Sequence, residues 1–283
     1  MKIAVLGIGQ MGHALASRLL DTGFELTVWN RSPGRAGDLV ARGAREADNV
    51  PVAVAGATVV MTSLSNDAAV TDVLLPGGSP LPLANGGAVV ECSTISPDTT
   101  RRLAAIYGDH LVAAPILGGP AALAAGEAAL VVAGPKDTVA DVRPALEAVS
   151  GAIRLCGPDP GTALVIKLLN NSLLLTGLAA VSEAVAAGQR AGLDDELLVD
   201  VFGSSPLVAA GLRNRIEDLV KGDHDGWFTP AQGAKDLGLF LDLAASPERP
   251  LPLAELARDR YREAAATEAD GADLTAVIEL LRR

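Results

Sequence analysis

The sequence has 283 residues, of which 49% are hydrophobic, 3% aromatic and 20% charged, and its formal net charge is −11. A chain of this length corresponds to about two domains with a sizeable core, and this apolar content excludes a disordered protein. The negative charge excludes simple electrostatic binding to nucleic acid or to an anionic membrane, because phosphate contacts need a basic face.

Short apolar runs alternate with helical patterns over the first 160 residues. The predicted strands are 2–6, 26–30, 58–62, 88–91, 110–114, 128–133 and 152–155. The predicted helices between them are 11–21, 34–42, 67–75, 97–107 and 136–150. Strands that are continuous apolar runs are typical of a parallel sheet covered by helices on both faces, so we predict an α/β domain over residues 1–160.

A cluster of helix-breaking residues between Gly157 and Gly161 ends this alternation. After it the sequence contains only helical patterns separated by glycine and proline, which predicts an all-helical substrate and dimerisation domain over residues 161–283. The first of these helices, from Thr162 to Arg190, is long enough to pack against a second subunit. We therefore expect a homodimer or a larger homo-oligomer.

The same helix is apolar enough to raise the question of a membrane span. Lys167, Asn170 and Asn171 lie near its start, and polar groups of this kind are costly in lipid. The pattern therefore favours a buried helix of a soluble protein, with no membrane partner.

Cysteine and histidine usage bears on the compartment and on metals. Cys92 and Cys156 are distant and form no CxxC pair, which favours a reducing cytoplasm. The three histidines have no metal-ligand spacing, so no metal is expected.

The first predicted strand is followed at once by Gly7-Ile8-Gly9-Gln10-Met11-Gly12, which matches the pattern GxGxxG and opens a helix. In such a turn Gly7 permits the sharp bend, Gly9 allows a pyrophosphate to approach the backbone, and Gly12 lets the helix pack on the strand. The helix N-terminus, at Gln10 and Met11, supplies amide donors to the phosphates. Because the pattern lies inside a βαβ unit, we favour a Rossmann-type, doubly wound dinucleotide-binding domain over a merely structural turn.

The end of the second strand indicates which dinucleotide is bound. A site for NAD usually has Asp or Glu here to accept a hydrogen bond from the ribose 2′-hydroxyl, but this sequence has Asn30-Arg31-Ser32. Arg31 can pair with a 2′-phosphate, and Asn30 and Ser32 can donate hydrogen bonds. We therefore predict NADP(H) in preference to NAD(H), against the alternative that Arg31 is an ordinary surface arginine.

Lys167 and Asn171 are four residues apart in the long helix, so their side chains share a face. A lysine in an apolar helix needs a reason, because burying its charge is costly. One such reason is structural: the lysine extends its ammonium to the solvent or forms an ion pair that stabilises the fold. The second possible reason is catalysis, since Lys167 follows the predicted domain boundary and a cleft between domains is a favoured ligand site. Desolvation can lower the pKa of a lysine from about 10.4 towards roughly 7–8, which suits general acid–base work.

Four further segments match the motifs of one family. Residues 91–97 (ECSTISP) are similar to a substrate-binding D-x-S-T-x-x-P stretch, 114–120 (APILGGP) to A-P-V-S-G-G, and 161–171 (GTALVIKLLNN) to a catalytic G-x-x-x-x-x-K-x-x-x-N block. Lys235-Asp236-Leu237 is similar to a late K-D motif. With GxGxxG, these motifs occur in the order found in the β-hydroxyacid dehydrogenases, which include 3-hydroxyisobutyrate and tartronate semialdehyde enzymes. The resemblance covers most of the chain and does not specify a substrate.

The resemblance implies an NADP(H)-dependent dehydrogenase or reductase acting on a small β-hydroxyacid, semialdehyde or other carbonyl compound. It implies that Lys167 is the general acid–base and that Asn171 orients the lysine or the substrate oxygen. It also implies substrate contacts from Ser93, Leu117, Gly118 and Gly119, and cofactor contacts from Leu64, Ser65, Thr94 and Lys235. Judged from the residues alone, Ser93 and Thr94 are equally suited to capping the helix that begins near Pro97.

One departure from the family pattern affects the substrate. The serine that precedes the Gly-Gly pair is Leu117 here. Losing a hydroxyl that would hold a carboxylate favours a bulkier or more apolar substrate, or an imine. The related imine reductases share the fold and the NADPH site but typically lack the lysine, so imine reduction is the second alternative. A non-catalytic NADP-binding scaffold is the third.

Overall fold

In the computed structural model, which describes residues 1–84, 86–243, 248–267 and 271–282, the chain divides into two compact units. The first is Met1–Lys167 and the second is Leu168–Arg283. The domain boundary predicted after residue 160 lies at the first residue of a long helix, whereas the division between the units lies inside that helix.

The first unit contains a six-stranded parallel sheet in the order β3-β2-β1-β4-β5-β6. The strands are β1 (Lys2–Leu6), β2 (Glu25–Trp29), β3 (Arg45–Glu46), β4 (Val59–Thr62), β5 (Ala88–Glu91) and β6 (Leu111–Ala113). Strands β4 and β5 are buried along their whole length, as expected for central parallel strands with helices on both faces. The predicted doubly wound α/β fold is confirmed, and β3, only two residues long, was too short to predict.

Three further strands form a separate sheet in the order β7-β8-β9: β7 (Ile116–Leu117), β8 (Ala129–Val132) and β9 (Ala152–Leu155). Strand β8 is parallel to β9 but antiparallel to β7. The sequence prediction of a single parallel sheet is therefore incomplete at this point. Periodicity identifies strands but not their partners, and β7 is a two-residue strand that leads directly into a glycine turn.

Helices cover both faces of the main sheet. They are α1 (Gln10–Asp21), α2 (Gly37–Ala41), α3 (Val50–Val54), α4 (Asp67–Leu74), α5 (Pro97–Tyr107), α6 (Pro120–Ala125) and α7 (Lys136–Val149). Successive residues of β1 point to opposite faces: Ile3 and Val5 pack in the cluster that contains α1 and α7, and Ala4 and Leu6 pack in the cluster that contains α3, α4 and α5. The side-chain alternation of one strand thus joins two cores.

The second unit is helical over its described residues, apart from an isolated bridge between Asp225 and Ala272. Its helices are α8 (Pro160–Arg190, which begins in the first unit), α9 (Asp195–Ser204), α10 (Ile216–Lys221), α11 (Pro230–Leu243), α12 (Pro252–Thr267) and α13 (Glu279–Arg282), with 3-10 turns at Ala210–Arg215 and Leu274–Ile278. Its core surrounds the fully buried Tyr261, whose hydroxyl donates to the Leu175 carbonyl at 2.9 Å.

A buried ion pair joins two separated segments of the second unit. Arg215 Nε donates to Asp273 Oδ1 at 2.8 Å, and both side chains are almost completely buried. Asp273 also accepts the backbone amides of Trp227 and Phe228, and the Arg215 guanidinium lies 5.3 Å from the centroid of the Trp227 ring. The pair therefore holds the loop before α11 against the C-terminal turn.

Helix α8 is, among the described residues, the one helix long and apolar enough to cross a membrane by length and composition. Its most apolar window has a mean hydropathy of 1.7, and only 33% of that window is buried within the chain. Exposed apolar side chains on it include Leu173, which is 76% exposed, and Leu169. The surface of this helix is therefore unusually apolar for a helix in contact with water.

Candidate active site

The turn between β1 and α1 needs two glycines for reasons internal to the chain. Gly7 has φ +97°, and a Cβ there would lie 2.3 Å from the Ser63 carbonyl oxygen. A Cβ on Gly12 would lie 1.8 Å from the Gly7 carbonyl oxygen. Both positions therefore require glycine for the helix to pack on the strands.

Gly9 differs, because a Cβ there would meet nothing within 4 Å. It precedes α1 without a side-chain cap, and Gln10 and Met11 lie in the first turn, where helix amides have no intrahelical acceptor. The first turn also contains no acidic residue. An open glycine in front of amide donors at a positive helix end fits a diphosphate, so the residues present suit a dinucleotide.

Asn30 connects this turn to the end of β2. Its Oδ1 accepts the Ile8 amide at 2.9 Å, and its Nδ2 donates to the Ser32 carbonyl at 2.8 Å. Asn30 was predicted to contact the cofactor. Within the chain its two hydrogen bonds hold the glycine turn close to the loop that follows β2.

Two exposed arginines, Arg31 and Arg35, flank Ser32 in the loop between β2 and α2. Neither forms an ion pair with any residue in the described ranges. The nearest acid along the chain, Asp38, lies 2.9 Å from His13 Nε2, and this hydrogen bond holds the pKa of Asp38 below its usual range. Sequence reasoning missed Arg35, although its spacing of four residues from Arg31 in a short loop was the available signal.

Ser93 and Leu64 meet after β5 and β4. The Ser93 hydroxyl accepts the Leu64 amide at 2.8 Å, and Ser93 is only 3% exposed. Ser65 is exposed and Thr94 is half-buried in the same pair of loops. The cap of α5 is Ser96, which accepts the Thr99 amide at 3.1 Å, so the capping alternative for Ser93 and Thr94 is wrong.

Lys167 lies against the loop that contains the two predicted glycines. Its Nζ donates to the Ile116 carbonyl at 2.7 Å, one residue before Leu117. Gly118 is exposed and has φ +146°, and a Cβ there would crowd Ala128, while Gly119 is half-buried as the residue that precedes α6. Leu117 is partly buried against the core. The structure thus places the Lys167 ammonium on the carbonyl of Ile116, directly before the 117–119 loop.

Asn171 has a buried carboxylate as its partner in the second unit. Asn171 Nδ2 donates to Asp236 Oδ2 at 2.7 Å, and both residues are 3% exposed. Lys235 Nζ lies 2.8 Å from Asp236 Oδ1, close enough for an ion pair but not aligned for a hydrogen bond. Asp236 was not predicted as a site residue, although an acid within the apolar run of α11 was a visible signal.

Because the strands are parallel, the turns after β1, β2, β4 and β5 lie at one edge of the main sheet. The carboxyl edge of the sheet therefore carries the glycine turn (residues 7–12), the loop with the two arginines (residues 30–35) and the contact between Leu64 and Ser93. Open α/β sheets bind ligands at this edge. No group of three His, Cys, Asp or Glu side chains that could hold a metal ion occurs within the described ranges. The fold and this edge define a Rossmann-type dinucleotide-binding protein.

Two family models match the chain in succession. Residues 2–157 match the NAD binding domain of 6-phosphogluconate dehydrogenase, and residues 161–281 match the model described as NAD-binding of NADP-dependent 3-hydroxyisobutyrate dehydrogenase. The chain belongs to the β-hydroxyacid dehydrogenase family, that of 3-hydroxyisobutyrate dehydrogenase.

Full-length relatives agree with this assignment. The chain is 33% identical to a 3-hydroxyisobutyrate dehydrogenase of Pseudomonas aeruginosa, over 99% of this chain and 98% of that protein. The crystal structure of a 3-hydroxyisobutyrate dehydrogenase from Salmonella typhimurium is similar with a TM-score of 0.90 at 28% identity, covering 99% of both chains. An imine reductase from Streptomyces aurantiacus is similar with a TM-score of 0.65 at 26% identity, covering 100% of both chains.

Proposed function

We propose that this protein is an NADP(H)-dependent dehydrogenase that transfers hydride between the nicotinamide and a small β-hydroxyacid or semialdehyde, with Lys167 as the general acid–base. The observation that carries the proposal is the bond between Lys167 Nζ and the Ile116 carbonyl, which fixes the ammonium beside the 117–119 loop. The family supports the reaction class.

The chemistry assigned to each side chain follows from its contacts. An ammonium has three donors, so Lys167 can bind Ile116 and still protonate a carbonyl oxygen; in the reverse direction the amine accepts the alcohol proton. Asp236 holds the amide of Asn171, which then orients the reacting oxygen. The Ser93 oxygen accepts the Leu64 amide, and in this proposal Ser93 and the amides of Gly118 and Gly119 bind the substrate carboxylate. When bound, the nicotinamide supplies or accepts the hydride.

The remaining predicted residues surround the cofactor in this proposal. Leu64, Ser65, Thr94 and Lys235 contact its nicotinamide half, and the turn from Gly7 to Gly12 holds its diphosphate. The open space at Gly9 supports the placement of the diphosphate at this turn.

A spectrophotometric screen tests the proposal. NADPH oxidation and NADP reduction are measured with small hydroxyacids, semialdehydes and cyclic imines, and with NADH in parallel. We expect turnover with a hydroxyacid or its semialdehyde. Tight NADPH binding without turnover of any compound would favour a non-catalytic scaffold instead.

Imine reduction is the second candidate because of Leu117. A partly buried leucine stands where a hydroxyl would hold a carboxylate, and an apolar wall suits an imine without a charged group. The retained Lys167 favours the carbonyl reaction. Faster turnover of the cyclic imines than of every hydroxyacid in the screen would reverse this order.

Replacing Arg31 and Arg35 by alanine should weaken the use of NADPH selectively. Each guanidinium paired with a 2′-phosphate makes a charge-assisted bond worth about 1.5–3 kcal/mol, or roughly 10-fold to 100-fold. We expect kcat/KM for NADPH to fall by that factor per arginine and kcat/KM for NADH to stay constant. Arg154→Ala, at an exposed arginine on β9, is the matched control. An unchanged NADPH/NADH ratio in the double variant would show that the site does not recognise a 2′-phosphate.

We propose further that α8 packs against a second copy of the chain, in a homodimer of the cytoplasm. Leu169 and Leu173 are exposed one turn apart, and Ala180, Ala184 and Ala187 continue this face with small side chains. Exposed Asn170 and Glu183 interrupt the helix surface, which disfavours a bilayer as the occupant.

Leu173→Glu should convert the dimer to a monomer, because it places a carboxylate in an apolar interface. The measurement is sedimentation velocity at micromolar concentration. Leu155→Glu, at a 62% exposed leucine on β9, should leave the dimer intact. A monomeric parent protein, or one that pelleted with phospholipid vesicles, would contradict this proposal.

A further inference from the structure

Glu91, the last residue of β5, is fully buried. It has no ion-pair partner among the described residues, and the nearby charge that acts on it is the carboxylate of Asp67. Burial raises the pKa of Glu91, and hydrogen bonds from Ser93 and Thr62 offset part of this rise. Placing an acid here is energetically costly, so its contacts indicate what it does.

The donors to the Glu91 carboxylate come from the ends of two strands: Thr62 is the last residue of β4, and Ser93 follows β5 by two residues. Oε2 accepts the hydroxyl of Thr62, the last residue of β4, and Oε1 accepts the backbone amide of Ser93 at 2.5 Å. Ser93 in turn accepts the Leu64 amide at 2.8 Å. Glu91 is therefore the centre of a chain of bonds that runs from the end of β4 through Ser93 back to Leu64, the second residue after β4.

This chain of bonds ties together the two loops that follow β4 and β5. A second tie lies further out, where Asp67 Oδ1 accepts the amide of Ser96 at 3.0 Å together with the Ser96 hydroxyl. The outer tie joins the first turn of α4 to the cap of α5. Only the inner tie acts on Ser93 and Leu64 directly, and both are assigned to substrate and cofactor above.

We propose that Glu91 is a positioning residue: it holds the amide of Ser93, and through Ser93 the amide of Leu64, in the geometry that substrate and nicotinamide require. This inference rests on the proposed function for its catalytic consequence but not for its structural one. Glu91 itself touches neither substrate nor cofactor, because it is covered by Thr62 and Ser93. The family motif has Asp at this position, so the longer side chain belongs to this protein's own arrangement of the loops.

The structural consequence is measured by amide hydrogen exchange on the full chain without ligand. Glu91→Ala removes both acceptors and should speed exchange at Leu64 and Ser93 by about 10-fold or more. Glu91→Gln keeps an acceptor for the Ser93 amide, and its new side-chain N–H can donate to the Thr62 hydroxyl, so near-parental exchange should be restored. Tyr107→Phe is the matched control, since it removes a buried hydroxyl that bonds Leu81 and Leu74 in the same unit. It should lower the melting temperature without changing exchange at Leu64.

The catalytic consequence is measured with the best compound of the screen. Glu91→Ala should lower kcat/KM by about 10-fold or more at unchanged concentration of folded protein, and Glu91→Gln should recover most of it. If Glu91→Ala does not fold, Thr62→Val, which removes one donor only, should show a smaller rise in exchange at the same amides. Glu91→Ala exchange and kinetics indistinguishable from those of Tyr107→Phe would overturn the inference. If exchange at Leu64 and Ser93 is faster in Glu91→Ala but the parent protein turns over no compound of the screen, the result would contradict the proposed function and leave the positioning role of Glu91 in place.

Discussion

Lys167→Ala should abolish turnover while NADPH still binds. General acid–base catalysis by a positioned side chain contributes about 10²–10⁴-fold, and alanine leaves no group that can carry the proton. Lys167 forms no part of the glycine turn or of the 30–35 loop, so the dissociation constant for NADPH, measured by fluorescence titration, should change by less than about 3-fold. Both quantities are measured on the same preparation.

Two comparisons make the result specific. Lys167→Arg keeps a positive charge but cannot release its proton near neutral pH, and should remain inactive. Lys221→Ala, at an exposed lysine paired with Glu217 in α10, should keep full activity. Retained kcat in Lys167→Ala would remove the lysine from the mechanism and favour a reaction that needs no protein acid.

Arg215→Met should produce the largest loss of stability. Removing one partner of a buried ion pair leaves an uncompensated charge and typically costs about 3–5 kcal/mol. Here the orphaned Asp273 also holds the amides of Trp227 and Phe228, so the loop before α11 should loosen as well. The measurement is urea unfolding, with attention to the transition of the second unit, because two units need not unfold together.

A surface pair provides the matched control for Arg215. Arg260 bonds Glu263 on the exposed face of α12 at 3.0 Å, and Arg260→Met should cost less than about 1 kcal/mol. The double variant Arg215→Met with Asp273→Leu should recover part of the lost free energy, since no charge then stays buried alone. Equal losses of unfolding free energy in Arg215→Met and Arg260→Met would show that the buried pair stabilises the protein no more than an exposed pair does.

Much of the first unit could be predicted from local sequence. Continuous apolar runs identified seven strands, and the GxGxxG pattern identified the turn whose glycines are indispensable at positions 7 and 12. These features were predictable because each depends on residues adjacent in the chain. The pairing of β7 with β8 was not, because strand partners are set by contacts between distant segments.

The candidate site shows the same division. Lys167 and Asn171 could be singled out because charged and amide groups are rare in an apolar helix. Their partners could not, because the Ile116 carbonyl lies 51 residues away and the Asp236 carboxylate 65 residues away. Arg35 was missed because it lies in a loop without periodicity. Asp236 was missed because only its neighbour Lys235 was assigned a role in the late K-D motif.

The sequence by itself therefore determined the family, the α/β and helical halves and the residue types available for chemistry, since composition, periodicity and motifs are local properties. Only the tertiary structure decided which groups meet: Lys167 with the Ile116 carbonyl, Asn171 with Asp236, and Glu91 with the ends of two strands. The physical reason is that a buried polar group must find a partner, and folding brings that partner from a remote part of the chain.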